Sequence, residues 1–312
     1  MFRSAHKISI TILNSTRSNI NYVSLRNVDI VRQSSSLITS SPVRLAYVRV
    51  EGKDTDPDPP PTPLFICHGL FGAKKNWRSI AKALNRKTSR EIVAIDARNH
   101  GNSDHHPEMN YFVQALDAKH LIQKLGISKV IIIGHSMGGK VAMTMALSFP
   151  ELVEKIIVVD SSPAPSISDE DIQRYLKIKK EMGQSKIRSK RDAEKMMMKS
   201  VNSRILRQFF LTNLIPSEEG GYKWRINLEA IDNNLQYLMD FPSKFPHKQF
   251  NGEAIFIGGG RSRYIQEKDY DLIYKLFPKA EITFIPDCGH WVHAEKPRDL
   301  MEIIQDFLMR YP

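Results

Sequence analysis

The chain has 312 residues, of which 41% are apolar and 25% charged, so it can bury a substantial core. It contains no run of about 18 apolar residues, which excludes an ordinary membrane-spanning helix. Its two cysteines, Cys67 and Cys288, are too few for a disulfide framework and fit a reducing compartment.

The net charge of +11 is concentrated in two segments. Residues 1–45 carry six basic side chains against one acidic, and residues 171–225 carry fourteen against six. The rest of the chain is close to neutral, so the basic character belongs to a leader and to one internal segment. Because no basic face with stacking aromatic residues or known nucleic-acid-binding module accompanies it, no nucleic-acid partner is predicted.

The leader is rich in Arg and Ser, nearly free of acidic residues, and lacks the apolar run of a secretory signal. This composition predicts a disordered mitochondrial transit peptide over residues 1–40 and a location in the mitochondrial matrix. An ordinary disordered N-terminus is the alternative. The fold is expected to begin near residue 42.

Short β-branched runs then alternate with amphipathic segments. After a strand predicted at Pro42–Val50 and a proline-rich loop, the predicted strands are Leu64–Cys67, Ile92–Ile95, Val130–Ile133, Ile156–Val159, Ala254–Ile257 and Ile282–Ile285. The predicted helices between and after them are Trp77–Leu84, Tyr111–Leu125, Lys140–Ser148 and Asp299–Met309. Near-continuous apolar strands alternating with helices predict an α/β domain with a mostly parallel sheet, formed by residues 42–160 and 253–312.

Residues 161–252 interrupt this alternation with helix signals and no good strand. Ser168 and Asp171 open a predicted helix at Ile172–Met182, and further helices are predicted at Ala193–Val201, Ile205–Leu214 and Leu228–Leu238. We expect a helical cap over the carboxyl ends of the strands, where open α/β sheets bind ligands.

Two features of this predicted cap each allow two interpretations. Its apolar runs Met196–Met198 and Phe209–Leu211 fit core packing, or contact with an acyl chain. Its basic charge fits a solvated face, or peripheral contact with an anionic lipid surface.

The motif Gly-x-Ser-x-Gly occurs at Gly134-His-Ser-Met-Gly138, between a predicted strand and a predicted helix. A nucleophile elbow requires this strand–turn–helix context, and its tight turn leaves no room for side chains at Gly134 and Gly138. Ser136 is therefore the candidate nucleophile, and the Met137 amide a candidate oxyanion donor. The alternative is a glycine-rich turn without chemistry.

Four blocks resemble the signature motifs of α/β hydrolases: His68-Gly-Leu-Phe-Gly72, Asp96-Ala-Arg-Asn-His-Gly-Asn-Ser103, Gly134-His-Ser-Met-Gly-Gly139 and Gly289-His-Trp-Val-His-Ala-Glu-Lys-Pro297. The resemblance extends from about residue 42 to the C-terminus. It implies the α/β-hydrolase fold, with a helical cap inserted after the sixth strand. It also implies esterase or lipase-like activity on acyl esters, with diacylglycerol among the family's substrates.

In this fold a second oxyanion donor lies in the loop after an early strand. The block His68–Gly72 follows the predicted strand Leu64–Cys67, so the Leu70 amide is the candidate, with Phe71 as the alternative. His68 is expected to brace this loop and not to titrate in the reaction.

The general base is expected last in the chain. His290 follows the final predicted strand by a short loop, which puts it at the same sheet edge as Ser136, and His293 is the weaker candidate. The loop 258–264, where the acid of the triad usually lies, contains no Asp or Glu. Asp160, at the end of the preceding predicted strand, is the first choice for the acid. Resemblance to a mitochondrial serine hydrolase of this family implies Glu229 as the alternative.

These residues predict acyl transfer to water through an acyl-enzyme, without cofactor or metal. The predicted substrate is a small-molecule or lipid-like acyl ester, and no protein partner is identified. A thioesterase or an acyltransferase with the same triad, or a catalytically silent scaffold protein, are the alternatives.

Overall fold

The computed structural model describes residues 41–52, 60–165, 187–243, 245, 247 and 249–311. The strands are β1 (Tyr47–Val50), β2 (Leu64–Cys67), β3 (Ile92–Ile95), β4 (Val130–His135), β5 (Val153–Val159), β6 (Leu214–Pro216), β7 (Tyr222–Trp224), β8 (Glu253–Gly259) and β9 (Ala280–Ile285). The α-helices are α1 (Arg78–Thr88), α2 (Tyr111–Lys124), α3 (Met137–Ser148), α4 (Lys190–Met198), α5 (Arg204–Leu211), α6 (Leu228–Asn233), α7 (Leu235–Met239), α8 (Tyr270–Leu276), α9 (Val292–Glu295) and α10 (Pro297–Arg310). The predicted leader and the predicted helix Ile172–Met182 lie outside the described residues.

Seven strands form one sheet in the order β1-β3-β2-β4-β5-β8-β9. β1 pairs antiparallel with β3, and every other neighbouring pair is parallel. This arrangement confirms the mostly parallel sheet predicted from the β-branched runs. Because β3, β2, β4, β5, β8 and β9 all point the same way, the loops that leave their carboxyl ends meet along one edge of the sheet.

The sheet has an apolar core on each face because successive side chains of a strand point to opposite sides. Phe65 and Ile132 pack in the cluster that includes α2 and α3, whereas Ile66 and Ile133 pack in the cluster that includes α1 and α10. All four side chains are at most 1% exposed. Burying each one stabilises the fold by about 1.5–3 kcal/mol, so the sheet is a firm base for the loops at its edge.

The segment between β5 and β8 is not purely helical. Beside α4, α5, α6 and α7 it contains the antiparallel hairpin β6–β7, so the expectation of no strand here is wrong. The predicted helix Ile205–Leu214 ends at Leu211, and Leu214 begins β6. Strands of three residues are too short to show an alternating pattern, which is why the sequence did not reveal them.

The position of this insertion in the strand order also differs from the expectation. Within the described part of the chain it follows five strands and not six. These are β1 to β5, which match one for one the five strands predicted from the sequence before residue 161, whereas the sixth strand was implied only by the family resemblance.

The insertion is bonded to loops at the carboxyl ends of the strands. Asn213 Nδ2 donates to Phe71 O at 2.8 Å in the loop after β2, and the Asn227 amide donates to Asn99 O at 3.0 Å in the loop after β3. The predicted cap therefore covers the edge of the sheet where ligands are expected.

Lys140, in the first turn of α3, bonds to two parts of the insertion. Its buried ammonium donates to Ala164 O at 2.8 Å and to Asp240 O at 3.1 Å. Burial lowers the pKa of Lys140 to about 8. The helix that follows the elbow is thus bonded to the start of the insertion and to the residue that follows α7.

None of the helices in the described ranges combines the length and the apolar character needed to cross a bilayer.

Candidate active site

Ser136 lies in a strained turn between β4 and α3. Its backbone has φ 53° and ψ −115°, a conformation that costs on the order of 1–3 kcal/mol and is held by its surroundings. A Cβ on Gly134 would lie 2.1 Å from Gly138 O, and a Cβ on Gly138 would lie 2.2 Å from Cys67 O. The turn therefore needs glycine at both positions, as a nucleophile elbow does.

His290 reaches Ser136 from the loop that follows β9. Its Nε2 lies 3.0 Å from Ser136 Oγ. The Gly289 amide, one residue earlier, donates to a carboxylate oxygen of Glu295 at 2.9 Å, which fixes the loop against α9. Although 154 residues separate the serine and the histidine, the sheet places them in hydrogen-bond contact.

Asp160 directly follows β5 and is fully buried beside His290. The Nδ1–H of His290 donates to Asp160 Oδ2 at 2.6 Å. Gly259 N–H donates to the other oxygen at 3.0 Å, and Ser262 Oγ–H donates to Oδ2 at 2.5 Å. Because Nδ1 carries the proton, Nε2 keeps its lone pair towards Ser136, which is the tautomer a general base needs.

Glu229, the alternative acid, is not part of this hydrogen-bond chain. It is exposed, in the first turn of α6 on the insertion. Both ring nitrogens of His290 already have other partners, Asp160 and Ser136.

The backbone amides of Leu70 and Met137, the proposed oxyanion donors, differ from that of Phe71, the alternative, in whether they already have a hydrogen-bond acceptor. Phe71 N–H donates to His100 Nε2 at 3.0 Å, so it is not free for a substrate oxygen. The Leu70 amide has no acceptor among the residues that the structure describes. Met137 is the first residue of α3, where an amide has no partner within the helix. The amides of Leu70 and Met137 are therefore the pair available to donate to a substrate oxygen.

Phe71 itself is held in place from two sides. It has a positive φ of 63°, and its carbonyl accepts the bond from Asn213 of the insertion. Its ring meets Phe210 of α5 edge to face, with centroids 5.9 Å apart. No sequence pattern pointed to Asn213, since its contact with Phe71 spans 142 residues.

His68 braces the loop after β2, as expected. Its Nδ1–H donates to Gly69 O at 2.7 Å, and its Nε2 accepts from Ala97 N at 3.0 Å. Burial lowers the pKa of His68, against an opposing influence of Asp96, so the ring stays neutral near pH 7.

Two more histidines pack behind His290. His135 Nε2–H donates to the carbonyl of His290 at 2.9 Å and so ties the elbow to the loop of the base. His293 stacks on Trp77, with centroids 5.0 Å apart, and does not contact Ser136 as a base would. Burial, with neighbouring histidines, lowers the pKa of His135 well below 6.5 and that of His293 to about 3.

The loop after β8 contributes an aromatic ring in addition to its two hydrogen-bond donors. Tyr264 stacks on the His290 imidazole, with centroids 3.8 Å apart and ring planes 14° apart. The absence of an acid in residues 258–264 suggested only that the usual carboxylate is missing. In the structure this loop holds the carboxylate of Asp160 and covers one face of the base.

Both cysteines are free and buried. Burial raises the pKa of the Cys67 thiol to about 12 and, with Glu295 and Asp160, raises that of Cys288 to about 11. Since the thiolate is the reactive form, neither residue has the character of a nucleophile or redox-sensitive thiol at neutral pH.

The apolar runs of the insertion divide between core and surface. Met197, Phe210 and Leu211 are buried, whereas Met198 is 56% exposed. Phe209 is half-buried and contacts Trp291, next to the base, with ring centroids 4.3 Å apart. Of the two runs, Phe209 is the member that lies near His290.

Within the described ranges, no group of three or more His, Cys, Asp or Glu side chains has the geometry of a metal site.

Comparison with known proteins places the chain among α/β hydrolases. A family model for the α/β-hydrolase fold matches residues 62–297. The chain is 45% identical over 282 residues to a Danio rerio protein named sn-1-specific diacylglycerol lipase ABHD11, covering 88% of this chain and 86% of that protein. It is 34% identical over 276 residues to a Saccharomyces cerevisiae protein named probable alcohol acetyltransferase, covering 83% and 80%. The solved structure of a marine microorganism esterase is similar, with a TM-score of 0.79 and 32% identity over 85% of this chain and 99% of that one.

Replacing Asp160 by asparagine is expected to lower kcat for a p-nitrophenyl ester by about 10⁴-fold, because the amide no longer holds His290 in the required tautomer. Glu229→Gln is the matched control and should leave kcat unchanged. Steady-state kinetics of the two variants makes the comparison. If Glu229→Gln lost most of its kcat while Asp160→Asn stayed active, the acid of the triad would lie on the insertion.

Proposed function

The chain belongs to the α/β-hydrolase fold family, and on that premise we propose that it hydrolyses carboxylic esters with Ser136 as nucleophile, His290 as general base and Asp160 as the orienting acid. One observation carries the proposal. An unbroken chain of hydrogen bonds runs from Asp160 Oδ2 through His290 to Ser136 Oγ, with distances of 2.6 Å and 3.0 Å. Such a chain is the arrangement by which an uncharged hydroxyl becomes a nucleophile.

The reaction has two halves. In the first, His290 Nε2 takes the proton of Ser136 as Oγ attacks the ester carbonyl, and the imidazolium then gives that proton to the leaving alcohol. In the second, a water molecule loses a proton to His290 and attacks the acyl-enzyme, and the proton returns to Ser136 as the carboxylic acid departs. Asp160 remains ionised and stabilises the imidazolium in both halves.

The tetrahedral intermediates place a negative charge on the former carbonyl oxygen. The amides of Met137 and Leu70 donate to this oxyanion. Loss of one such donor typically costs about 2.7–4 kcal/mol of transition-state stabilisation. His100 and Asn213 fix Phe71, and therefore the peptide next to Leu70, before substrate binds.

A lipid-like ester such as diacylglycerol is the proposed substrate. The name of the relative from Danio rerio, which shares 45% of its residues with this chain over most of both lengths, supports this class. The half-buried aromatic ring of Phe209 against Trp291 offers an apolar surface beside His290 for an acyl chain.

An acyltransferase is the second candidate, because a relative of 34% identity is named probable alcohol acetyltransferase. The same acyl-enzyme would then pass its acyl group to an alcohol instead of water. A thioesterase would use the same residues on a thioester.

The location and membrane contact belong to the same proposal. The Arg- and Ser-rich composition of residues 1–40 supports import into the mitochondrial matrix. The basic residues of the insertion support peripheral contact with anionic lipids. Import into isolated mitochondria of the full chain, but not of a chain that lacks residues 1–40, would be the expected behaviour.

Replacing Ser136 by alanine is expected to abolish ester hydrolysis and labelling by a fluorophosphonate probe, with an unchanged thermal unfolding midpoint. The wild-type protein should release fatty acid from diacylglycerol faster than from the matching acyl thioester. Adding a short alcohol tests the transferase, which would form a new ester in place of free acid. An active, unlabelled Ser136→Ala protein would rule out the proposed nucleophile.

Tyr264 provides a test of how the ring of His290 is held. Tyr264→Leu removes the aromatic face that stacks on the imidazole, so the variant should lower kcat by about tenfold, because the imidazole is then less well oriented towards Ser136. Steady-state kinetics with a p-nitrophenyl ester measures the effect.

Tyr264→Phe keeps the stacked ring and is the control, which should resemble the wild-type protein. If Tyr264→Phe and Tyr264→Leu lose activity equally, the hydroxyl of Tyr264 and not its ring face supports the activity.

A further inference from the structure

A cavity apart from the candidate active site opens at the β1 edge of the sheet. Its volume is about 680 Å³, within the range of small-ligand sites. It lies between β1, β3, the turn that precedes α1, and the hairpin of the insertion. Its described lining residues are Val48, Arg49, Val50, Glu51, Ala73, Lys74, Lys75, Arg78, Ala81, Lys82, Ile92, Ala94, Asp96, Asn102 and Arg225.

The lining does not include Ser136, His290 or Asp160. It also lacks the two amides proposed as oxyanion donors. The cavity is therefore separate from the catalytic residues, although Ala73 directly follows the loop His68–Gly72.

Part of the wall is apolar. Val48 and Val50 come from the edge strand, Ala81 from α1, and Ile92 and Ala94 from β3. Val48 is 45% exposed, an unusual fraction for a large aliphatic side chain on a strand. Such a surface gains free energy when it is covered by an apolar group.

The rim is cationic even after its ion pairs are counted. Two of the basic side chains that line the cavity are neutralised, since Arg49 pairs with Glu91 and Lys74 pairs with Asp96. Arg78, Lys82 and Arg225 have no carboxylate partner among the described residues. The lining thus carries positive charge that no carboxylate pairs with, from α1 and from the residue that follows the hairpin, and Glu51 is the remaining acid.

Lys75 shows that these positive charges repel one another. Its ammonium donates only to a carbonyl, Thr212 O, at 2.9 Å. Its pKa is lowered by burial first and then by the charges of Arg225 and Lys190. An anion at this position would relieve the repulsion, and the guanidinium of Arg225 has the planar fork that binds carboxylate and phosphate.

We propose that this cavity binds an amphipathic anion, with a carboxylate or phosphate head at Lys75 and Arg225 and an apolar tail along Val48, Val50 and Ala81. The head requires the cations and the tail requires the aliphatic wall. The ligand can be a soluble amphiphile or a lipid whose headgroup is presented by a bilayer. The inference does not depend on the proposed ester hydrolysis, because it concerns binding alone.

The test is isothermal titration of the full chain with decyl phosphate below its micelle concentration. The double variant Lys75→Gln, Arg225→Gln should bind at least about tenfold more weakly, since each charge-assisted hydrogen bond contributes strongly to affinity. The matched control is Lys124→Gln, Lys129→Gln, which removes two exposed lysines that do not line the cavity. The control should bind as the wild-type protein does, and the difference isolates this cavity from any amphiphile bound near Ser136.

Two further ligands and added salt test the two halves of the proposal. Decyl maltoside, which has the tail without the charge, and inorganic phosphate, which has the charge without the tail, should both bind much more weakly than decyl phosphate. Added salt should weaken decyl phosphate but not decyl maltoside.

Other outcomes would overturn the proposal. Equal affinities of the double variant and its control would exclude the cations as the binding groups. Binding to phosphatidylglycerol vesicles that the Lys75→Gln, Arg225→Gln variant retains in full would replace the cavity by a general cationic surface. Should the double variant be unstable, Arg225→Gln alone replaces it, and the proposal requires reduced affinity at an unchanged thermal unfolding midpoint.

Discussion

A single carboxylate, Asp160, connects the ends of three neighbouring strands. It directly follows β5 and accepts hydrogen bonds from Gly259 at the end of β8, from Ser262 in the loop after β8 and from His290 after β9. Ser136, after β4, is tied to the same strand by its amide, which donates to Val159 O at 2.9 Å. The order β4-β5-β8-β9 in the sheet is what allows one side chain to serve all of these loops. The geometry of the candidate site therefore depends on this carboxylate and on the register of the strands beneath it.

The arrangement stores unfavourable free energy that the core must offset. Ser136 and Asp160 both have a positive φ, and a buried carboxylate without partners would cost several kcal/mol. Three donors meet the carboxylate, and the apolar layers on both sides of the sheet hold the backbone. Burial meanwhile lowers the pKa values of His68, His135 and His293, so these rings add no positive charge beside an imidazolium at His290.

Much of this could be predicted from the sequence because the relevant signals are local. β-branched runs predicted the strands, and the strand before Gly134 and the helix after Gly138 identified the elbow. The rest depends on contacts between distant segments. Whether Leu70 or Phe71 has a free amide is decided by His100, and the role of the loop after β8 is decided by Ser262 and Tyr264. The hairpin β6–β7 was missed because its strands have only three residues each.

The most direct test of the account is to trap the acyl-enzyme. A p-nitrophenyl ester is mixed rapidly with the protein, quenched in acid on the millisecond scale, digested and analysed by tandem mass spectrometry. The account predicts an acyl group on the peptide that contains Ser136, and fragmentation of that peptide should assign the group to Ser136. The adduct should form at least as fast as the steady-state turnover. An acyl group on another side chain at a kinetically competent rate, or turnover with no covalent adduct and no burst of nitrophenol, would contradict it.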